Sequence, residues 1–316
     1  MNCSVHTETL IGVLYPCLYG LLFICAAILN SIALWVSFHI PTDSTFILYL
    51  KNLIAADFIM TLTILNKAIS DSVIAPWQLK AFTCRFSAVM FYYSMYISII
   101  LLGLISLDRY FKVVKPFGRT MCQSMSCMKI LTVFIWISLF CTTSVPTMIL
   151  TSKPGNTSFK DCIALKTNKG IEYHFVVNNI AQTIFWTVCI LIVFCYACIT
   201  KKVLDSYHNS QSSNKIAKSK TKARVFIIIG VFVICFVPYH LTRIPYTNKQ
   251  VSNTCIKNPM AFAKETTLWL SATNTCLDPL IYVFLCKSFR QKLSEVWKCN
   301  MVMAALSSSN NEESSS

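Results

Sequence analysis

Charge is scarce in this sequence: 13% of its 316 residues are Asp, Glu, Lys or Arg, against about 25% in an ordinary soluble domain. Acidic side chains are scarcer still, 13 against 28 Lys and Arg. With 55% hydrophobic residues and a mean hydropathy of +0.56, no soluble core could bury so many apolar side chains. No water-facing surface could be built from so few charges, so the chain reads as a polytopic membrane protein. A cleaved leader is not expected. No basic run precedes the first apolar stretch, no small-residue cleavage site follows it, and the stretch is too long for a leader. There is no internal repeat with paired broken helices, which disfavours an organic-anion transporter, and no filter motif for a channel. His174 and His240 have no Ser, Cys or carboxylate at a spacing that would make a nucleophile and its base, so an enzyme is not expected. Nor is nucleic acid expected as a partner.

What is present is length of apolar run. A bilayer-crossing helix needs about 20 mostly apolar residues, and seven such runs occur, at 10–38, 46–70, 81–113, 127–150, 174–204, 223–248 and 260–284. Polar segments such as His39–Thr45 separate them. Backbone groups in lipid must be paired within the segment, so the runs are helices. The fold class is therefore an all-α membrane protein, a seven-helix transmembrane bundle over 10–284. Residues 1–9 form an N-terminal segment. Residues 285–298 are short, basic and amphipathic, as in an eighth helix lying on the membrane. The tail 299–316 is Ser-rich at its end and expected to be disordered. With the N-terminus outside, seventeen of the 28 Lys and Arg fall on the inner side and eleven on the outer, the bias expected of a cytoplasmic C-terminus. Two glycosylation sequons, at Asn2 and Asn156, then both lie outside.

Most of the sixteen cysteines, among them Cys25, Cys141, Cys189, Cys195 and Cys235, sit in apolar runs, where Cys behaves as a small hydrophobe. Cys3, Cys84, Cys162 and Cys255 fall outside, and four candidates allow three pairings.

Polar residues within the spans are few and expensive to place there. Asn30, Asp57 and Asp278 sit near mid-depth in spans one, two and seven. Asp108-Arg109-Tyr110 closes span three, and Trp136 lies in span four. Cys235-Phe236-Val237-Pro238 interrupts span six and Asp278-Pro279-Leu280-Ile281-Tyr282 interrupts span seven. Each proline removes a backbone hydrogen bond and supplies a hinge. In this order the set resembles the rhodopsin-like (class A) G-protein-coupled receptors across all seven spans. The resemblance implies a plasma-membrane receptor whose partner is a heterotrimeric G protein. Asp108, Arg109 and Tyr110 would form the cytoplasmic switch, with Arg109 held by Asp108 until activation, and with Pro238, Pro279 and Tyr282 as its moving parts. It implies an allosteric sodium ion at Asp57, Asn274 and Asp278 and no other cofactor. It implies a Cys84–Cys162 disulfide, with a second bridge, Cys3–Cys255, and a Ser-rich tail read by receptor kinases and arrestin.

The outer side carries eleven basic residues and five acidic ones, and a basic vestibule with low-dielectric walls concentrates anions. No acid lies in the outer half of span three, where an amine receptor would place one. On span six, His240, Arg243 and Tyr246 are spaced three apart and share a helix face. Lys264 opens span seven, beside Glu265, which is a candidate ion-pair partner for Arg243. Guanidinium grips phosphate with two bonds and Lys adds a point charge, while Phe91, Tyr92 and Tyr96 on span three offer rings for a nucleobase.

Five stretches (235–247, 264–267, 49–52, 75–79 and 284–290) are similar to the purinergic nucleotide receptors, in the subgroup that recognises ADP or UDP-sugars and couples to inhibitory G proteins. The wording around 38–114 is most similar to the ADP receptors. The resemblance implies phosphate contacts from Arg243, Lys264 and Lys166, with Tyr246, His240 and His174 nearby, Tyr92 against the base and Asn178 on its edge. It implies a receptor for extracellular ADP that lowers cyclic AMP; a UDP-sugar or an acidic lysophospholipid is the alternative ligand. Two departures stand out. Thr63-Ile64-Leu65-Asn66-Lys67 lacks the Pro-Phe pair usual before the Lys, which predicts a straighter outer end of span two, and Thr147 replaces a usual Asn.

Overall fold

A computed structural model describes residues 5–115, 124–155, 162–209, 215–251, 258–286 and 288–295. Among them no strand occurs. Helix α1 is Val5–Phe38, α2 Thr45–Ser70, α3 Trp77–Val114, α4 Met125–Leu150, α5 Asn168–Asn209 and α6 Lys215–Val251; α7 comes in two pieces, Asn258–Ala272 and Asn274–Leu285. Helix α8 covers 288–295 and leaves α7 at 91°. The chain is a seven-helix membrane bundle. Six helices are each long and apolar enough to cross a bilayer alone, and α7 makes the seventh with its bent partner.

Several ends differ from the apolar runs. Helix α1 begins at Val5 rather than 10, α3 at Trp77 rather than 81, and α6 at Lys215 rather than 223, while α5 continues to Asn209. Hydropathy marks where lipid stops, and the helical hydrogen-bond ladder continues into water beyond that. Ser44 and Ser124 start α2 and α4 by accepting from the amides of Ile47 and Cys127 (3.4 and 3.2 Å). This is the side-chain cap that a helix start calls for.

Helix α3 is the axis, mostly buried, whereas α4 is almost wholly turned outward. Helices α3 and α5 touch closely at Gly103, where an added Cβ would lie 2.9 Å from Val188 Cγ1. Leu53, Ile54, Ile97, Leu101, Phe185 and Phe236 fill the interior. Phe289 of α8 is buried edge-on against Tyr282 (6.0 Å), which anchors the surface helix to the bundle.

Prolines shape the bundle through the carbonyls they leave without a donor. Pro279 cannot donate to the carbonyl of Thr275, and Asn30 of α1 does so instead (Nδ2 to O, 2.9 Å) while also bonding its own Ala26 carbonyl (3.0 Å). Pro146 likewise cannot serve Thr142, whose carbonyl accepts the hydroxyl of Tyr173 from α5. In hydrocarbon a freed backbone group needs such a neighbour. Helix α2 contains no proline and runs unbroken; Asn66 donates to Thr83 Oγ1 of α3 (3.1 Å), in a widened turn over Thr83–Ser87.

The Cys84–Cys162 disulfide is formed, tying α3 to the second outer loop. Cys3, Cys255, Asn2, Asn156 and the tail 299–316 lie outside the described residues.

Candidate functional site

The outer ends of α3, α5, α6 and α7 meet around Arg243. Its side chain is buried, with Nε donating to Asn178 Oδ1 of α5 (2.9 Å). The guanidinium lies 5.6 Å from the Tyr92 ring centre and 5.9 Å from that of Tyr246. Among the described residues no carboxylate comes within ion-pair reach of it. A guanidinium buried among rings and an amide is attracted by π-faces, but among the described residues no carboxylate balances its charge.

Lys166, from the second outer loop, is the second buried cation, with Nζ on Thr151 Oγ1 (3.1 Å). Burial, and then the nearby charge of Arg243, hold its ammonium down to about 8. Thr151 is shared, because its carbonyl takes Arg85 Nε (2.6 Å). The loop is stitched down by Lys153 N to Leu165 O (3.0 Å), Lys166 N to Ile163 O (3.1 Å) and Thr167 N to Leu150 O (2.9 Å). Gly170 permits the last contact, since a Cβ there would sit 2.6 Å from the Leu150 carbonyl. Lys264 of α7 reaches to 5.6 Å from the Tyr246 ring and donates to Glu265.

Arg243, Tyr246, Tyr92, Asn178, Lys166 and Lys264 therefore cluster. His174 stands beside them, bonded to Asn178 Nδ2 (3.2 Å) and to Gln250 Oε1 (3.3 Å). His240 shares the stripe but turns away from it. Its ring stacks on Phe185 (3.6 Å, 8°), Nδ1 donates to the Phe236 carbonyl (2.8 Å), and Nε2 meets the Tyr96 hydroxyl (3.1 Å). Both ring nitrogens are occupied, so His240 is floor and not wall. The carbonyl-bound nitrogen must carry the proton, which leaves Nε2 as acceptor. Phe91 packs edge-on against Tyr92 inside the core (5.5 Å). Glu265 does not pair with Arg243 as its position suggested: it lies against Lys264 and 3.4 Å from Lys67 of α2. Sequence offered no sign that α2 would supply that lysine. Gln182, which donates to the His240 carbonyl (3.1 Å), likewise carries no mark in the sequence pattern.

At mid-depth Tyr282 donates to Asp57 Oδ2 (2.6 Å) and Asn274 Nδ2 to Asp278 Oδ2 (2.7 Å). The second carboxylate oxygens, Asp57 Oδ1 and Asp278 Oδ1, and the amide oxygen Asn274 Oδ1 are buried without a hydrogen bond. Such acceptors fit a hard cation, which takes oxygen ligands. Among the described residues no three His, Cys, Asp or Glu side chains gather as a metal site.

At the inner end the expected Asp108–Arg109 pair is absent. Asp108 takes Lys112 Nζ (2.7 Å) and Thr45 Oγ1, while the Arg109 guanidinium lies 4.0 Å over the Phe46 ring. Adjacent helical residues diverge, whereas positions four apart face one another, which favours Lys112 over Arg109. Trp136 Nε1 donates to Asn52 Oδ1 (3.1 Å), joining α4 to α2.

Residues 29–282 match the family model described as the 7 transmembrane receptor (rhodopsin family). The chain is similar to purinoceptor 13 of Homo sapiens, 47% identical over 92% of this chain and 83% of that one. It is similar to purinoceptor 14 of Bos taurus, 43% identical over 88% and 83%. It is also similar to G-protein coupled receptor 87 of Mus musculus, 39% identical over 92% and 82%.

Proposed function

The chain belongs to the rhodopsin family of seven-transmembrane receptors, and within it to the purinoceptors; from that premise we propose that its ligand is ADP and its partner an inhibitory G protein that lowers cyclic AMP. It is a nucleotide-activated G-protein-coupled receptor of the plasma membrane, and not an enzyme. The observation that carries the finer reading is the pair of buried cations, Arg243 and Lys166, that have no carboxylate among the described residues. A buried charge needs a partner, and a diphosphate supplies one to both.

In this reading the diphosphate spans Arg243, Lys166 and Lys264, the base lies against Tyr92, and Asn178 meets its edge. Tyr246 flanks the phosphates, His174 fixes Asn178, and His240 closes the floor. A ligand shifts a receptor only through better binding to one of its states. ADP draws α6 and α7 together at the outer end, α6 pivots at Pro238, α7 yields at Pro279, and the inner end opens. Arg109 then leaves the Phe46 ring, Tyr282 leaves Asp57, and Asp108 and Tyr110 re-pack beside the G protein. A sodium ion held by Asp57, Asn274 and Asp278 would stabilise the closed arrangement. The Ser-rich tail would be read by receptor kinases and arrestin.

The test is a panel of ADP, ATP, UDP-sugars and lysophospholipids on cells expressing the receptor, with a cyclic-AMP readout and pertussis toxin. ADP is expected to lower cyclic AMP, the toxin to abolish the effect, and Arg243→Ala to cost about tenfold or more in potency, the loss of a charge-assisted hydrogen bond. An unchanged ADP response in Arg243→Ala, or a response to UDP-sugar or lysophospholipid alone, overturns the assignment.

A further inference from the structure

One of the three cations assigned to the phosphates is already in use. Lys264 donates to Glu265, the next residue of α7, although consecutive helical residues do not ordinarily face each other. The other oxygen of that carboxylate, Oε2, is buried, 3.4 Å from Lys67 and without a hydrogen bond. Lys67 has a nearer partner in Asp71, at 2.5 Å. Glu265 thus stands between two ammonium groups, held closely by one and loosely by the other. Across the pocket Arg243 and Lys166 have no carboxylate among the described residues.

We propose that Glu265 is a built-in stand-in for a ligand phosphate: it neutralises Lys264 in the empty receptor and passes to Lys67 when the nucleotide arrives. The proposal rests on the nucleotide reading above. Leaving Lys264 bare in a low-dielectric wall would be costly, and the transfer keeps Lys264, Glu265 and Lys67 paired throughout. Before binding, Glu265 serves Lys264 and Asp71 serves Lys67. After binding, the phosphate serves Lys264, and Glu265 closes the 3.4 Å gap to Lys67. Tyr15 of α1 ties this stretch of α7 down, bonding the Thr266 hydroxyl at 2.6 Å and donating to the Phe262 carbonyl at 3.3 Å, so the exchange is a side-chain movement. It also sets a threshold for ligands. A diphosphate that meets Arg243 and Lys166 as well can displace Glu265, whereas a singly charged headgroup that reaches Lys264 alone gains little by doing so.

Labelled ADP binding to membranes carrying the full-length receptor tests this. Glu265→Gln, which removes the competitor at nearly constant shape, is expected to tighten binding about tenfold, the factor of one charge-assisted hydrogen bond. Lys67→Gln, which removes the receiving group, is expected to weaken binding several-fold in the wild-type background and by less than about twofold in the Glu265→Gln background, since interacting groups are non-additive. Equal or weaker binding by Glu265→Gln overturns the proposal. So does a Lys67→Gln loss that persists undiminished without Glu265, because Lys67 would then act on the ligand directly. If Glu265→Gln fails to reach the surface, Glu265→Asp, which withdraws the carboxylate, should tighten binding in the same direction, and its failure to do so is equally decisive. Should the wild type bind no nucleotide, both readings fall. Should it bind and lose affinity in Arg243→Ala while Glu265→Gln gains nothing, this one falls alone.

Discussion

The outer pocket and the mid-depth polar layer are built with opposite deficits. At the outer end, Arg243 and Lys166 are cations whose neighbours are rings, an amide and a hydroxyl. At mid-depth, Asp57, Asn274 and Asp278 each bury an acceptor oxygen that has no hydrogen bond. Among the described residues, Arg243 and Lys166 at the outer level have no carboxylate partner, and three oxygens at mid-depth have no hydrogen-bond donor. Helix α7 carries Asn274 and Asp278 at mid-depth and Lys264 at the outer pocket. Uncompensated charge inside a membrane protein marks a functional place, and the sign of what is missing indicates what is to be bound.

The sharpest way to break this comparison is to disable one level and read the other. Asp57→Ala removes the partner of Tyr282. The G-protein response is expected to fall about tenfold or more, while ADP binding changes by less than about threefold, since side chains far apart act nearly independently. Loss of binding on the scale of Arg243→Ala would show that the two levels are one site. Arg243→Lys keeps the charge and removes the planar fork. A drop of about tenfold in ADP potency is expected, because the fork and not the charge alone grips phosphate; full retention would reduce the outer site to a point-charge trap.

Proton linkage sharpens the contrast further. The Lys166 ammonium is held near 8 in the empty pocket, and a phosphate favours the charged form. Burial makes the folded, empty protein give up this proton more readily than the unfolded chain does, so its own stability gains as pH rises from about 8 toward the ordinary lysine range. ADP affinity runs the other way and should fall by up to about fivefold between pH 8 and 9. Lys166→Arg should flatten that slope in a binding assay. The smallest effect is expected from Tyr173→Phe, a neutral control in the outer half. It strands the Thr142 carbonyl, so thermal unfolding in detergent should show a loss of about 1 kcal/mol with ADP affinity unchanged.

The bundle itself was legible because lipid allows so few backbone solutions. Seven apolar runs yielded seven spans, and only the ends shifted, as at Val5 and Lys215, where helix outlasts hydrophobicity. Pairs set by spacing within one helix were also readable, as with Arg243 and Tyr246. Partners chosen across helices were not. Glu265 found Lys67 because α2 stands next to α7, and His240 left its stripe because Phe185 and Tyr96 hold its ring. The widened turn at Thr83–Ser87 has no mark in apolar periodicity. The Asp108–Arg109 pair does not form because Lys112, one turn away, takes the Asp108 carboxylate.

The second outer loop carries a last consequence, in time rather than energy. Lys166 lies four residues after the bridged Cys162 and just before the Thr167 contact with Leu150. Its position is settled during folding, so a nucleotide entering the pocket need not recruit the stretch 162–167. Association is then set by diffusion and the attraction of the basic vestibule, and similar nucleotides should arrive at similar rates. Discrimination among them falls to how long each one stays.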